Sequence, residues 1–272
     1  MSAYICRSFY SMIPSNFLAS VIVFSFIHFI PGDPAQVMLG DQATPERVQQ
    51  LRESMGLDRP LYVQYAKWIG GVLRGDMGQS IFFHKPVLDV IADRAETSLL
   101  IAVFSMILII VVGVPIGILS AVRCNSRLDQ LFSGASMFFA SIPTFWLGLN
   151  LMLLFAVTLK WLPTSGFPSI VESGDWSNLR YLVLPCITLA APNSALIIRL
   201  TRSSMLDVAR ADYVKTAWAK GLTEGSVTMR HIFRNSLISV VSALGFTFVA
   251  LLAGTVVTEK VFSLHGVGRL VV

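Results

Sequence analysis

An all-α, polytopic membrane helix bundle is the fold class this sequence predicts, and three observations predict it. Five stretches, residues 9–30, 98–122, 131–159, 181–198 and 236–258, contain no Asp, Glu, Lys or Arg. Each is close to or beyond the roughly 20 apolar residues that an α-helix needs to cross the hydrocarbon core of a bilayer. Only 14% of the 272 residues are charged, against about 25% in soluble domains, and the mean hydropathy is +0.67. The missing charge is missing from the five stretches, so the bias is segmental. Buried helices of soluble proteins are usually shorter than these runs, which sets a soluble helical core aside.

The first stretch, with Arg7 before it, has the start of a secretory signal. It is longer than the usual 7–15-residue apolar region, and Pro31-Gly32-Asp33-Pro34 stands where a small-residue cleavage site would be expected. Residues 1–30 are therefore read as the N-terminus and a retained first span. Residues 31–97 read as a small folded helical segment. Thr44 is an N-cap, Pro45 fits the first helical position and Gly56 fits the position just past the end. Val48, Leu51 and Met55 share the apolar face between them. A second helix is predicted over 60–73 with Leu61, Tyr65, Trp68 and Val72 on its apolar side, before Gly75, Gly78 and Pro86 interrupt the pattern.

Residues 98–272 form the transmembrane core. Basic residues in short loops mark the cytoplasmic side. Residues 199–235 hold Arg199, Arg202, Arg210, Lys215, Lys220, Arg230 and Arg234 against Asp207, Asp212 and Glu224. Residues 123–130 hold Arg123 and Arg127 against Asp129, whereas 160–180 is balanced. Alternation then puts the N-terminus inside, 31–97 outside and 199–235 inside. The net charge of +5 is explained by this orientation, without a nucleic-acid partner.

Inside the stretches, Pro115, Pro143, Pro185 and Pro192 each remove a backbone hydrogen bond and tend to kink their helices. Together they lean towards a pathway between helices. Gly113 and Gly117 form a GxxxG pair that permits close helix approach. His28 is the one ionisable residue within a stretch and reads as interfacial. The absence of intramembrane acids disfavours a proton- or sodium-coupled carrier. Cys6, Cys124 and Cys186 match no metal or redox spacing. A membrane-embedded enzyme would need paired acids, a nucleophile–His pair or a metal cluster at membrane depth, and no such arrangement is visible. A passive channel would leave the loop 199–235 without a purpose.

That loop is the most structured polar segment. Ser203 or Ser204 is expected to cap a helix with Asp207 in its first turn, and Leu206, Ala209, Tyr213 and Ala217 to share a face. Gly221 ends this helix, and a second begins near Thr223 and carries Met229, Ile232 and Phe233 towards the last span. The result is a helix–Gly–helix hairpin. From the residues alone it either receives another protein surface or lies on lipid headgroups.

The run Asp212-Tyr-Val-Lys-Thr-Ala-Trp-Ala-Lys-Gly221 resembles the EAA loop of bacterial ABC-importer permeases, in the form used by the dipeptide/oligopeptide/nickel permease family. Ile30-Pro-Gly-Asp-Pro34, Gly56-Leu-Asp-Arg-Pro-Leu61, Gly75-Asp-Met-Gly-Gln-Ser80 and the segment from Glu259 to Leu270 are similar to further motifs of that family, in order along the chain. The type most resembled is the first, dipeptide permease B-like, of its two permease subunits. The resemblance implies a non-enzymatic, multi-pass subunit of the cytoplasmic (inner) membrane. Its partners would be a second permease subunit, membrane lipid, cytoplasmic ATP-binding subunits that hydrolyse ATP, and an extracytoplasmic solute-binding protein. The implied solute is a peptide, with a nickel chelate as the alternative. No GxxxxGK[ST] phosphate loop occurs in the chain, in keeping with no cofactor of its own. By position, Tyr213, Thr216, Ala217, Ala219, Lys220 and Gly221 are implied to form the ATPase-coupling contact. Trp218 stands where the family usually has Arg, and His265 where it has Pro. The resemblance also implies a sixth span, expected after Val272 and missing here.

Overall fold

The computed structural model describes residues 2–29, 33–40, 43–80, 82–83 and 85–270. The chain divides into two compact units, Met1–Ala92 and Asp93–Val272. Helices dominate both, and no strand occurs among the described residues. An isolated β-bridge joins Gln79 and Pro86.

In the first unit, α1 (Ser2–Phe29) is a single helix that contains Pro14, with an apolar window over Tyr10–Phe26. The side chains of Cys6, Arg7 and His28, and residues 30–32 and His84, lie outside the described residues. Next come α2 (Pro34–Leu39) and α3 (Pro45–Met55). Asp33 caps α2 by accepting from the Ala35 amide at 3.1 Å, and its carboxylate also pairs with Arg52 of α3 at 3.0 Å. The limits predicted for α3 hold. Thr44 Oγ1 accepts from the Arg47 amide at 3.4 Å, and Gly56 is left-handed at φ +74°. That conformation is open to glycine at little cost. Helix α4 (Leu61–Val72) follows Pro60, and Gly75 and Gly78 turn the chain with φ of +84° and +78°.

The long helix α5 (Val87–Val122) starts in the first unit and continues through the second. It begins well before the charge-free stretch, because Asp89, Asp93, Arg94 and Glu96 are carried on its first turns. A π-helical turn at Ile109–Gly113 directly precedes the segment containing Pro115. The widened turn accommodates a residue that lacks an amide proton, so the helix continues through the proline.

The stretch 131–159 is broken at its proline, more sharply than a kink. It is two helices, α6 (Arg127–Ser141) and α7 (Thr144–Thr158), bent by 99° at the break. Pro143 is the physical reason. It forces the residue before it out of the helical region, and Ile142 is extended at φ −80°, ψ 127°. The short α8 (Ile170–Ser173) is held from below by Glu96. Glu96 accepts from Ser169 Oγ at 2.5 Å and from the amides of Ile170 and Val171 at 2.8 and 3.2 Å.

A correction concerns α9 (Val183–Ala209). The stretch 181–198 was expected to end its helix near Ile198, with a fresh cap at Ser203 or Ser204. The helix instead runs on to Ala209, and Ser203 Oγ donates back to the Leu200 carbonyl at 3.1 Å. The onset of charge marks where apolar surroundings end, and the helix does not stop there. After Ala211 comes α10 (Asp212–Ala219). Last is α11 (Glu224–Val261), which passes through a π-helical turn at Val227–Phe233. By length and composition α5, α9 and α11 are each able to cross a membrane, and α6 with α7 passes as a bent pair.

Helix α9 is the centre of the second unit. Leu184, Leu189, Ala190 and Ile197 are buried with Ile101 and Ile109 of α5 and Leu251 of α11. Burial of apolar surface does not drive association between helices in lipid, so close fit must supply the attraction. Glycines permit it. A Cβ on Gly117 would stand 2.6 Å from Thr201 Cβ, and one on Gly148 would meet Thr188, Phe262 and Val261 at 3.2–3.3 Å. The GxxxG pair therefore packs on α9. The outward surfaces are apolar: Val111, Leu153, Phe246 and Val249 are exposed.

Candidate functional site: the α10 hairpin and its base

The hairpin is built from the end of α9, α10, the turn at Gly221 and the start of α11. Helix α10 has one inner face. Val214 is fully buried and Ala217 is 5% exposed. They pack with Met205 of α9, Val227 and Ile232 of α11, and Ala121 of α5. The face anticipated from Leu206, Ala209, Tyr213 and Ala217 is not a single face, because the chain breaks between α9 and α10 at Arg210–Ala211. Ala217 points into the protein, where its small side chain lets α10 sit close to α11. Tyr213, Thr216, Ala219, Lys220 and Gly221 are exposed, as is Trp218.

The turn satisfies the helix end. The Leu222 amide donates to the Ala217 carbonyl at 3.4 Å, and the Gly221 amide to the Trp218 carbonyl at 2.9 Å. This pair of bonds closes a helix whose next residue is left-handed, and Gly221 has φ +74°. No atom lies within 4 Å of where a Cβ would be, so glycine is required here by backbone conformation and not by space. Thr223 precedes the next helix in an extended conformation. Asn235 Nδ2 donates to Tyr213 OH at 3.1 Å and ties α10 to α11.

Beneath the hairpin lies a cluster that the sequence reading passed over as topological charge. Arg202 donates through Nε and Nη2 to the two carboxylate oxygens of Asp129 at 2.7 and 2.8 Å. Ser120 Oγ donates to the same carboxylate, and the Asn125 amide adds a bond at 2.9 Å. Asp129 is buried, so four donors replace the water it gives up. The signal was present in Ser126-x-x-Asp129. It reads as a helix start, and Ser126 does cap α6, accepting from the Asp129 amide at 3.3 Å. Its partner Arg202 lies 73 residues away in the chain, and pairing over that distance is invisible to local pattern.

At the other end of α11 a second carboxylate is enclosed. Glu259 has no solvent exposure. Ser98 Oγ donates to it at 2.6 Å and the Arg269 amide at 2.9 Å, while Ser98 Oγ accepts from the Val267 amide at 2.8 Å. A Cβ on Gly266 would overlap the Glu259 carboxyl at 2.2 Å. Gly266-Val-Gly268 is thus a wrapping for a carboxylate. His265 is exposed on this loop and His231 stands in the hairpin, each without a nucleophile partner. Among the described residues no group of His, Cys, Asp and Glu could hold a metal ion.

A cleft of about 350 Å³ between α5, α6 and α9 is lined by Leu108, Val112, Phe132, Phe139, Ile187 and Ala191. It offers hydrocarbon surface and little that could orient a polar solute.

A helical core that carries a hairpin over a buried Asp–Arg base has counterparts among known proteins. Residues 113–272 match the family described as binding-protein-dependent transport system inner membrane component, and residues 1–102 match the N-terminal part of the same type of membrane component. The chain belongs to this family. The permease is similar to the probable peptide ABC transporter permease protein y4tP of Sinorhizobium fredii, with 38% identity over 273 residues covering 100% of this chain and 87% of that one. It is also similar to the glutathione transport system permease protein GsiC of Escherichia coli K12, with 39% identity over 272 residues, 100% and 86%. In fold it is like the MetNI methionine ABC transporter in inward-facing conformations. The TM-score is 0.54 at 17% identity over 67% of this chain and 79% of that chain. The protein is a permease subunit of an ABC importer and not an enzyme. Membership implies ATP-binding subunits and a solute-binding protein as partners and the inner membrane as its place.

Proposed function

We propose that this permease and a second permease subunit together form the path by which short peptides enter the cell. The observation that carries the solute class is full-chain likeness to y4tP, described as a peptide permease, and GsiC, described as a glutathione permease. Glutathione is a γ-linked tripeptide, so both descriptions name peptidic solutes.

In this reading there are five spans: α1, α5, the bent pair α6–α7, α9 and α11. The apolar window of α1 is at the short end of what spans a bilayer. The basic excess of residues 199–235 supports a cytoplasmic hairpin and a cytoplasmic N-terminus, with residues 31–97 on the outer side. A one-time span–loop boundary at 30 and 97 gives three segments: 1–30, 31–97 and 98–272.

The hairpin is the ATPase-coupling contact. Tyr213, Thr216, Ala219, Lys220 and Gly221 meet the ATPase, and Ala217 supports them from beneath. Exposure of the first five and burial of Ala217 support this division. Helix α10 is joined to α9 at one end and α11 at the other, so a push on it reaches both.

Reconstitution with partner subunits tests the solute class. ATP-dependent uptake of dipeptides or glutathione is expected. Uptake confined to nickel chelates would reject the peptide reading. For the side on which the hairpin lies, Lys220→Cys should react with a membrane-impermeant thiol reagent only after cells are opened.

A further inference from the structure

Helix α4 presents three faces. On the first, Tyr65 and Trp68 pack against α1. The Tyr65 ring meets Phe17 and Phe24 edge-on with centroids 6.1 and 5.4 Å apart, and Trp68 lies 5.8 Å from Phe24. Ser20 Oγ and Tyr65 OH share a hydrogen bond at 2.7 Å. On the second, Tyr62, Ala66, Ile69 and Leu73 recur at i, i+4, i+7 and i+11, the spacing of one helical stripe. Tyr62 is 75% exposed and Leu73 82%. The third face carries Gln64 and Lys67, with Arg74 just beyond the helix end, and α4 contains no acidic residue.

An apolar stripe left open beside a packed face marks a surface that meets something apolar. The attachment point gives the reason. Ser20 lies within the apolar window Tyr10–Phe26, about 9 Å short of Phe26 at 1.5 Å per residue. Leu18 and Ile22 of α1 are exposed as well, so the surface beside α4 is also hydrocarbon. An exposed apolar stripe with Tyr62 and Leu73 on it, beside a separate side that carries Lys67, is the pattern of a helix lying in a membrane interface. Tyr and Trp favour that layer, and Lys and Arg extend their charges out of it.

We propose that α4 lies in the outer headgroup–acyl boundary of the bilayer, along the first span. Tyr62, Ile69 and Leu73 face acyl chains, and Lys67 and Arg74 reach lipid phosphates. Residues 61–73 are then embedded in the membrane surface, and 31–97 is not wholly a cap in water. The proposal rests on α1 being a span, and the test separates the two.

Spin labels are placed singly at Tyr62, Leu73 and Lys67 of α4 and at Leu18 and Ile22 of α1. The assembled transporter, in a cysteine-free background, is reconstituted into vesicles of phosphatidylethanolamine and phosphatidylglycerol. Collision with oxygen, which partitions into lipid, is compared with collision with a water-soluble nickel chelate. Tyr62 and Leu73 should favour oxygen and Lys67 the nickel chelate, a reversal of the ratio across one helix. Nickel access at Tyr62 and Leu73 equal to that at Lys67 overturns the proposal in favour of a water-exposed cap. Exclusion of both reagents overturns it in favour of a protein partner. Nickel access at Leu18 and Ile22 removes the spanning reading of α1 itself, whatever α4 does.

Discussion

Gly221 and Gly266 are both demanding, for opposite reasons. At Gly221 the backbone is left-handed and the space around it is open. A residue with a Cβ costs about 1–2 kcal/mol there. Gly221→Val should loosen the hairpin without disturbing the bundle. Solute-stimulated ATP hydrolysis by the assembled complex should fall while the yield of purified permease stays near wild type. At Gly266 the backbone is ordinary and the space is filled by Glu259. Gly266→Ala forces the carboxyl away from Ser98 and the Arg269 amide, and about 1–3 kcal/mol follows from overpacking alone. A lower unfolding temperature in detergent measures it, and Gly266→Ala should lower it more than Gly221→Ala. The Arg202–Asp129 pair is the third residue-level case. Breaking a buried pair costs about 3–5 kcal/mol, and the partial exposure of Arg202 moves the value towards the lower end. Asp129→Asn should therefore destabilise the permease more than Lys215→Ala, whose pair with Asp212 is exposed on both sides and worth well under about 1 kcal/mol. Equal melting of the two variants would contradict this ranking.

At the scale of the element, the local signals in the sequence were legible where chemistry is local. Thr44, Pro45 and Gly56 bounded α3, and Gly221 and Thr223 bounded the hairpin turn. Each acts on backbone within a few residues of itself. The limits of α9 were not legible, because charge-free length reports the surroundings of a segment and not its backbone; at Pro143 the proline marked the bend but not its size of 99°. One stretch of apolar residues became two helices, and one helix ran past its apolar stretch. The hairpin residues were found by motif resemblance, while the Asp129–Arg202 base was missed because nothing local links two residues 73 apart in the chain. The break at Pro143 has its own test. Pro143→Ala removes the restraint on Ile142, so label pairs across α6 and α7 should give a broader distance distribution than in wild type. An unchanged distribution would mean that packing, not the proline, holds the bend.

Across the whole molecule, the second unit is organised about α9. It contacts α5, α6, α7 and α11, and its far end supports the hairpin through Met205. With 27 residues it is about 40 Å long. A rod of that length, held near its middle by Gly117 and its neighbours, is a seesaw: a tilt of about 5° displaces each tip by roughly 2 Å, given the length set by the helical rise. The hairpin end and the Val183 end are two ends of one continuous helix, so a load placed on one is borne along α9 itself.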